Sequence, residues 1–367
     1  MNQNYRIGSV ALSLFCVAVL VLLPSQHGRS CTAFVLCDSA SVTVAKNLDW
    51  PIGDGFVMVN PRGLSKYGLA SAQGPQARWI SRYGSISFNQ FGREFPLGGM
   101  NEAGLVVEET SFSPSVYPSD DGRPTVNEFQ WIQYQLDNFA SVSEVVDNVS
   151  GLRIKKQLAG IHFLVVDAKG ACAVIEFIAG KALVYTGQNL PAAVLANNEY
   201  ANAIKYLKCH RRFGGERVPT SGPESPERFV RAASMLQDFP CLDHFDAGEY
   251  AFRILENVRQ TDTQWSIVYD AVNLTARFII PTLGAYHRIE LTNLDFSCQR
   301  QPLMLDLKCL ASNQESVNWD VWTRSRNSGL LRSVFQQFRE HEGPANDVID
   351  AFLNTTAFSL SHLQCSE

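Results

Sequence analysis

The sequence predicts an α+β layered domain. Three observations point there: an early hairpin pattern followed by a glycine-rich strand region, two later groups of short strands spaced as meanders, and helical patterns between and after them. No glycine-rich phosphate loop follows a strand, which leaves doubly wound nucleotide-binding folds without support. The chain has 367 residues, 46% hydrophobic and 18% charged, enough to bury a large core in one large domain or two ordinary ones.

Residues 1–30 read as a secretory leader. Arg6 precedes an apolar run from Ile7 to Leu23, Pro24 ends it, and the small residues Gly28 and Ser30 follow. The run is shorter than most membrane-spanning helices, and no later segment is apolar enough to span. A cut after Ser30 would place the protein outside the cytoplasm with Cys31 as its first residue. Two other readings stay open. An uncleaved anchor would keep Cys31 internal, and a lipoprotein signal would acylate it. The residues before Cys31 are Gly-Arg-Ser, without the leucine expected three positions upstream of a lipidated cysteine.

Cys31–Leu36 and Ser41–Asn47 read as strands joined by the turn Cys37–Ala40, with Asn47–Pro51 leaving the second strand for a loop. Phe56–Asn60 and Ser85–Asn89 are further strands around a polar excursion, Gly63 to Gln76. Gly98 to Glu108 reads as a glycine-rich turn feeding a strand that continues through Phe112, and Pro114 to Pro124 as a surface loop. Phe129, Ile132, Leu136 and Phe139 repeat at helical spacing, and Ser141 to Glu144 is a capping box opening a second helix. His162–Asp167, Ala171–Ile178, Ala182–Tyr185 and Ala192–Ala196 form a meander pattern. Helices are expected over Asn198–Lys208, Glu227–Leu236 and Ala247–Val258, and a last strand group over Trp265–Tyr269, Thr275–Ile280 and His287–Leu291. From Gln314 the tail reads as mostly helical, its Val334, Phe335, Phe338 and Val348, Ile349, Phe352 stripes serving as packing faces.

The formal net charge is −5; without residues 1–30 there are 29 basic and 36 acidic residues, a net of −7. A mildly acidic chain without a basic stripe argues against nucleic acid as a partner. Of nine cysteines, Cys16 lies in the leader. Setting Cys31 aside leaves an odd seven, so at most three pairs form in an oxidising compartment. No spaced Cys/His cluster suggests a metal, and Cys209-His210 reads as a helix-end thiol beside a surface imidazole. None of His162, His210, His244 or His287 sits in a papain-like pattern.

Cys31 admits four readings: buried small residue, disulfide half, lipid anchor or nucleophile. Its place at the leader junction favours the last. A cut there puts a free α-amine on the same residue as the thiol. That amine titrates near pH 8, roughly two units below a lysine, so part of it is an available base at neutral pH.

Five motifs then share an order and spacing: Cys31-Thr32, Lys46-Asn47-Leu48-Asp49, Gly99-Met100-Asn101-Glu102-Ala103-Gly104-Leu105, Leu195-Ala196-Asn197-Asn198 and Ser225-Pro226-Glu227-Arg228-Phe229. Over about residues 31–292 the chain resembles the choloylglycine hydrolase family, which includes bile salt hydrolases and penicillin V acylases. The resemblance implies a four-layer αββα N-terminal nucleophile hydrolase sandwich over residues 31–367, its part from about 293 lying beyond the match. It implies cleavage of linear carbon–nitrogen amide bonds in small N-acyl amides without a cofactor, and a homo-oligomer, a tetramer in the family. Cys31 matches the nucleophile and Asp49 the acid that orients its α-amine. Asn197 matches an oxyanion-hole side chain, and Arg228 the arginine beside the nucleophile. On their own, these last three would read as a loop cap, turn chemistry and a solvated helix residue.

Two positions depart from the bile salt hydrolase pattern. Lys46 stands where those enzymes have arginine, keeping the charge and losing the planar fork. Ser111 stands where they have asparagine, whose backbone N–H serves the oxyanion and is supplied by any residue but proline. These changes favour a broader acyl-amide hydrolase over a dedicated bile salt hydrolase. They also admit a catalytically impaired secreted or lipid-anchored binding protein on the same scaffold. The family's substrates span conjugated bile salts, phenoxyacetyl penicillins and acyl-homoserine lactones. Trp50, Phe56, Trp79, Tyr83, Phe88 and Phe112 are candidates for an apolar acyl pocket, and equally for core. Asn148, Asn273 and Asn354 carry glycosylation sequons relevant only in a eukaryote.

Overall fold

β1 (Thr32–Cys37) and β2 (Val42–Asp49) form the expected hairpin, and the rest of the fold is laid out around it. The computed structural model describes residues 30–38, 40–70, 75–239, 246–311, 317–342 and 364–366; the leader apart from Ser30, Cys241, His244 and the Val348–Phe352 stripe lie outside them. After the hairpin come β3 (Phe56–Asn60), β4 (Leu64–Tyr67), β5 (Arg78–Ile80), β6 (Ser85–Asn89), β7 (Pro96–Asn101), β8 (Val106–Ser111) and β9 (Thr125–Val126). Helices α1 (Glu128–Asn138) and α2 (Val142–Asn148) lead to β10 (Arg153–Ile154), β11 (Ile161–Val166), β12 (Cys172–Ile178), β13 (Lys181–Thr186) and β14 (Val194–Leu195). Then follow α3 (Tyr200–Leu207), α4 (Ser225–Asp238), α5 (Ala247–Val258), β15 (Thr263–Asp270), β16 (Thr275–Ile279) and β17 (Tyr286–Glu290). The chain closes with β18 (Leu303–Asp306), β19 (Asp320–Val321), α6 (Arg324–Glu342) and β20 (Gln364–Cys365).

Two antiparallel sheets dominate. One is six-stranded in the order β14-β1-β2-β15-β16-β17, the other nine-stranded in the order β13-β12-β11-β8-β7-β6-β3-β18-β19. Helices α4 and α5 cover the first and α1 the second, while β1 faces β8 and β11 across the gap. The layers therefore run α, β, β, α. Between the sheets Phe88 of β6 meets Trp265, Tyr269 and Phe278 of β15 and β16, and under α1 Trp131 packs on Phe163 at 4.2 Å.

Several boundaries differ from those expected. β2 runs to Asp49 rather than releasing a loop at Asn47, because β15 pairs along its length as far as Thr263 opposite Asp49. Gly98 and Gly99 sit inside β7, and the turn begins only after Asn101. Both must lack a side chain: a Cβ on Gly98 would stand 2.0 Å from the Glu108 carboxylate, and one on Gly99 2.3 Å from the Ile86 carbonyl. β14 leaves the expected meander and pairs with β1 in the other sheet. The Gly63–Gln76 excursion contains β4, and the tail adds β18, β19 and β20 as well as its helix. These pairings lie far apart in sequence, beyond the reach of local periodicity.

Among the described residues one disulfide, Cys298–Cys365, joins β20 to the body, where β20 pairs with β4. Cys31, Cys37, Cys172, Cys209 and Cys309 are free thiols. Among the described residues no helix is long and apolar enough to cross a membrane.

Candidate active site

β1 lies between β14 and β2, so three sequence-derived residues arrive on adjacent strands of one sheet. Cys31 precedes β1, Asp49 ends β2, and Asn197 lies two residues past β14. The ladder continues past Cys31, with the Ser30 N–H donating to the Asp49 carbonyl at 3.0 Å. Strand alternation divides the side chains. Asn47 points to the helix layer, where it donates to the Leu255 carbonyl, and Lys46 points between the sheets to the Leu97 carbonyl. Cys31 shares the inner parity of Ala33, the partner of Lys46.

Arg228 comes from the first turn of α4, which opens with Ser225-Pro226 and packs over β1. Its guanidinium is fully buried and ties the strands together. It donates to the Cys31 carbonyl at 2.8 Å, to Asn197 Oδ1 at 2.6 Å, to the Pro223 carbonyl at 3.0 Å and to Thr32 Oγ1. Burial lowers its pKa while Asp49 and Cys31 oppose that shift. Asp49 Oδ2 lies 4.0 Å from Arg228 and has no hydrogen-bond partner among the described residues, whereas Oδ1 accepts from Thr263 Oγ1. Burial pushes the Asp49 carboxyl up to about 7, against Thr263 and Arg228, which favour the anion.

Asn197 donates through Nδ2 to the Ser111 carbonyl at 3.0 Å, and its backbone N–H donates to Ser225 Oγ at 2.7 Å. Because Arg228 can only donate, its bond to Oδ1 fixes which end of the amide is which. One Nδ2 hydrogen therefore goes to Ser111 and the other remains for a further acceptor. Lys46 is buried against Glu108 Oε2 at 2.9 Å and Glu109 Oε1 at 3.4 Å. Burial pulls its pKa down, but the two glutamates outweigh that and hold it above the ordinary lysine value. The Cys31 thiol is pushed up to about 12 by burial, aided by Glu109 and Asp49 and opposed by Lys46.

The structure thus brings Cys31, Asp49, Asn197, Arg228 and Ser111 together, with Lys46 on the inner side of the same strands. Asp49 is not the loop cap its Asp-Trp-Pro context suggests; it ends a strand. Thr32, Thr263, Ser225, Glu108 and Glu109 join the cluster without having been singled out. Thr32 and Ser225 lay within quoted motifs, and Thr263 is found only through its register with Asp49. Most acyl-pocket candidates are structural. Phe88 is inter-sheet core, Trp79 donates to Asp137 Oδ2 at 2.7 Å, and Phe112 stacks on His162. Trp50 packs on Phe338 of α6 at 6.0 Å. His210 is not the surface imidazole expected: its ring is buried with Nδ1 2.9 Å from the Tyr206 carbonyl, and among the described residues no group of three or more metal-ligating side chains occurs. A cavity of about 1580 Å³ lies elsewhere, beside Arg288, Asn293 and Pro302, and holds no cysteine.

Residues 31–275 match the family model for linear amide C–N hydrolases of the choloylglycine hydrolase family. A penicillin V acylase of Pectobacterium atrosepticum is 28% identical over 259 residues, 65% of this chain and 67% of that protein. The solved penicillin V acylase of Agrobacterium tumefaciens superposes with a TM-score of 0.69 at 26% identity, covering 80% of this chain and 98% of its own. A mutant conjugated bile acid hydrolase of Clostridium perfringens shares the fold, with a TM-score of 0.62 at 16% identity over 80% of this chain and 96% of its own. With the αββα layers and a family match that begins at Cys31, the chain belongs to the choloylglycine hydrolase family, a penicillin V acylase-like linear amide C–N hydrolase with the N-terminal nucleophile hydrolase fold.

Proposed function

We propose that residues 1–30 are a leader, that residues 31–367 form one catalytic domain, and that the mature protein is an extracytoplasmic N-acyl amide acylase with Cys31 as nucleophile. The observation that carries this reading is the meeting of Cys31, Arg228, Asn197 and Asp49, with Asp49 Oδ2 buried and unpartnered. A buried carboxylate oxygen without a donor is costly, and the α-ammonium or α-amine of a mature Cys31 is a donor of the right kind at the neighbouring ladder position.

The α-amine takes the thiol proton, and the thiolate attacks the amide carbonyl. The free Nδ2 hydrogen of Asn197 and the Ser111 backbone N–H receive the oxyanion, with Arg228 fixing the amide's orientation through Oδ1. The amine then returns the proton to the leaving nitrogen, and water releases the acid from the thioester. In the uncut chain the nitrogen of Cys31 is an amide and has no basicity. A thiol held near 12 then stays protonated at neutral pH.

The favoured substrate is an amide with an aryloxyacetyl or similar apolar acyl group, as in penicillin V, since two relatives above 25% identity are penicillin V acylases. The test is turnover of penicillin V and a panel of N-acyl amides by protein whose first residue is shown by sequencing to be Cys31. Cys31→Ala is expected to lower kcat/KM by about a thousandfold or more with an unchanged melting temperature. Retained activity in that variant, or full activity in protein beginning at another residue, overturns the reading. Binding without any acyl adduct on Cys31 would return the chain to the binding-protein alternative.

A further inference from the structure

Behind the oxyanion elements lies a buried pair that the acyl-transfer scheme does not use. His162 on β11 and Glu176 on β12 are both fully buried, with Nδ1 2.9 Å from Glu176 Oε1 and Nε2 2.7 Å from the Ala196 carbonyl. A carbonyl only accepts, so Nε2 carries a proton. The Nδ1–Oε1 contact then requires a second proton, on the ring or on the carboxyl. Glu176 Oε1 also accepts from the Tyr200 N–H at 2.8 Å, at the start of α3, while Oε2 has no hydrogen-bond partner among the described residues. A buried group of this polarity persists where its geometry matters.

Two of the imidazole's three contacts end one residue from the oxyanion donors. Ala196 precedes Asn197, and its carbonyl also accepts from Thr110 Oγ1. Phe112 follows Ser111, and its ring lies 4.7 Å from that of His162 at an interplanar angle of 9°. His162 is moreover the ladder partner of Thr110, one residue before Ser111. The ring is therefore wedged between the two segments that must converge on one oxygen atom. One belongs to the nine-stranded sheet and the other follows β14 of the six-stranded sheet.

We propose that His162 and Glu176 are a positioning pair that sets the separation of the Asn197 side chain from the Ser111 backbone, and so the dimensions of the oxyanion hole. This rests on the assignment of Cys31 as nucleophile. Neither residue touches the substrate; the pair acts through Ala196 and Phe112. A displacement approaching an ångström at such donors is enough to lower the rate of acyl transfer strongly while leaving substrate binding and thiol reactivity intact.

The experiment uses protein beginning at Cys31, with penicillin V as substrate and iodoacetamide as thiol probe. Alkylation of Cys31 needs no oxyanion hole, whereas acyl transfer does. His162→Gln and Glu176→Gln are expected to lower kcat about ten- to a hundredfold, with KM and the alkylation rate each within about twofold of the parent. Glu176→Gln keeps the size of the side chain and an acceptor for Tyr200, so it tests the pair even if the histidine variant fails to fold. Unchanged kcat in a folded variant overturns the inference. So does a parallel fall of kcat and alkylation, which would mean general damage rather than a misplaced hole. Failure of the underlying assignment shows separately, as parent enzyme that still turns over after complete alkylation of Cys31.

Discussion

Arg228 holds the carbonyl of Cys31, the amide of Asn197 and the carbonyl of Pro223 with one planar group. Lysine keeps the charge but offers a single point of donation. Arg228→Lys should therefore lower kcat/KM about a hundredfold and also lower the melting temperature, because buried acceptors lose their donors. Calorimetry and penicillin V kinetics on the same preparation check both. Asp49 makes a prediction about pH. Burial pushes its carboxyl up to about 7, above the ordinary value near 4 of the unfolded chain, so between those limits the folded state binds more protons. Stability must fall as pH rises from 4 to 7, by up to about 4 kcal/mol from this group. Asp49→Asn should flatten that slope in urea titrations at a series of pH values; an unchanged slope would place the cause elsewhere. The residues that meet here were largely legible in sequence through their motifs. Thr263, His162 and Glu176 were not, because a lone threonine or histidine on a strand acquires meaning only from its partner across a ladder or a layer.

At the scale of elements, β7 shows how a local rule can mislead. Two consecutive glycines read as a turn, yet they lie in a central strand because Glu108 and the β6 backbone occupy the space of their side chains. Gly99→Ala would drive a methyl group against backbone that cannot retreat, and should cost about 2 kcal/mol or more, read as a lowered denaturant midpoint. α6 was legible in its periodicity, though not its position. Phe335 packs on Phe91, Phe338 on Trp50, and Ser333 donates to Asp54 Oδ2 at 2.5 Å, so the helix lies against the loops that follow β6 and β2. Phe335→Ala is expected to destabilise by about 3–5 kcal/mol, a core-sized loss from a segment beyond the family match. The strands of the same tail went unseen because each is short, and β18 and β20 borrow partners from the opposite end of the chain.

Over the whole molecule, two sheets locked by aromatic packing and covered by helices carry the cluster where β1, β2 and β14 meet α4, and the Cys298–Cys365 bond fastens the tail to the same body. Replacing both cysteines by serine should lower stability by about 2–4 kcal/mol in oxidised protein and make the melting temperature insensitive to reductant, with penicillin V turnover at low temperature unaffected. The extended path of Ser30 bears on timing. Its N–H is already paired with the Asp49 carbonyl, and Cys31 is wholly enclosed, with Arg228 on its own carbonyl. A peptidase needs the bond between these residues free and accessible, which the closed ladder denies. If Cys31 is the mature first residue, as proposed, leader removal and folding are competitors in a race: a chain that folds first becomes a stable, inactive dead end, and the yield of working enzyme is set by which of the two is faster.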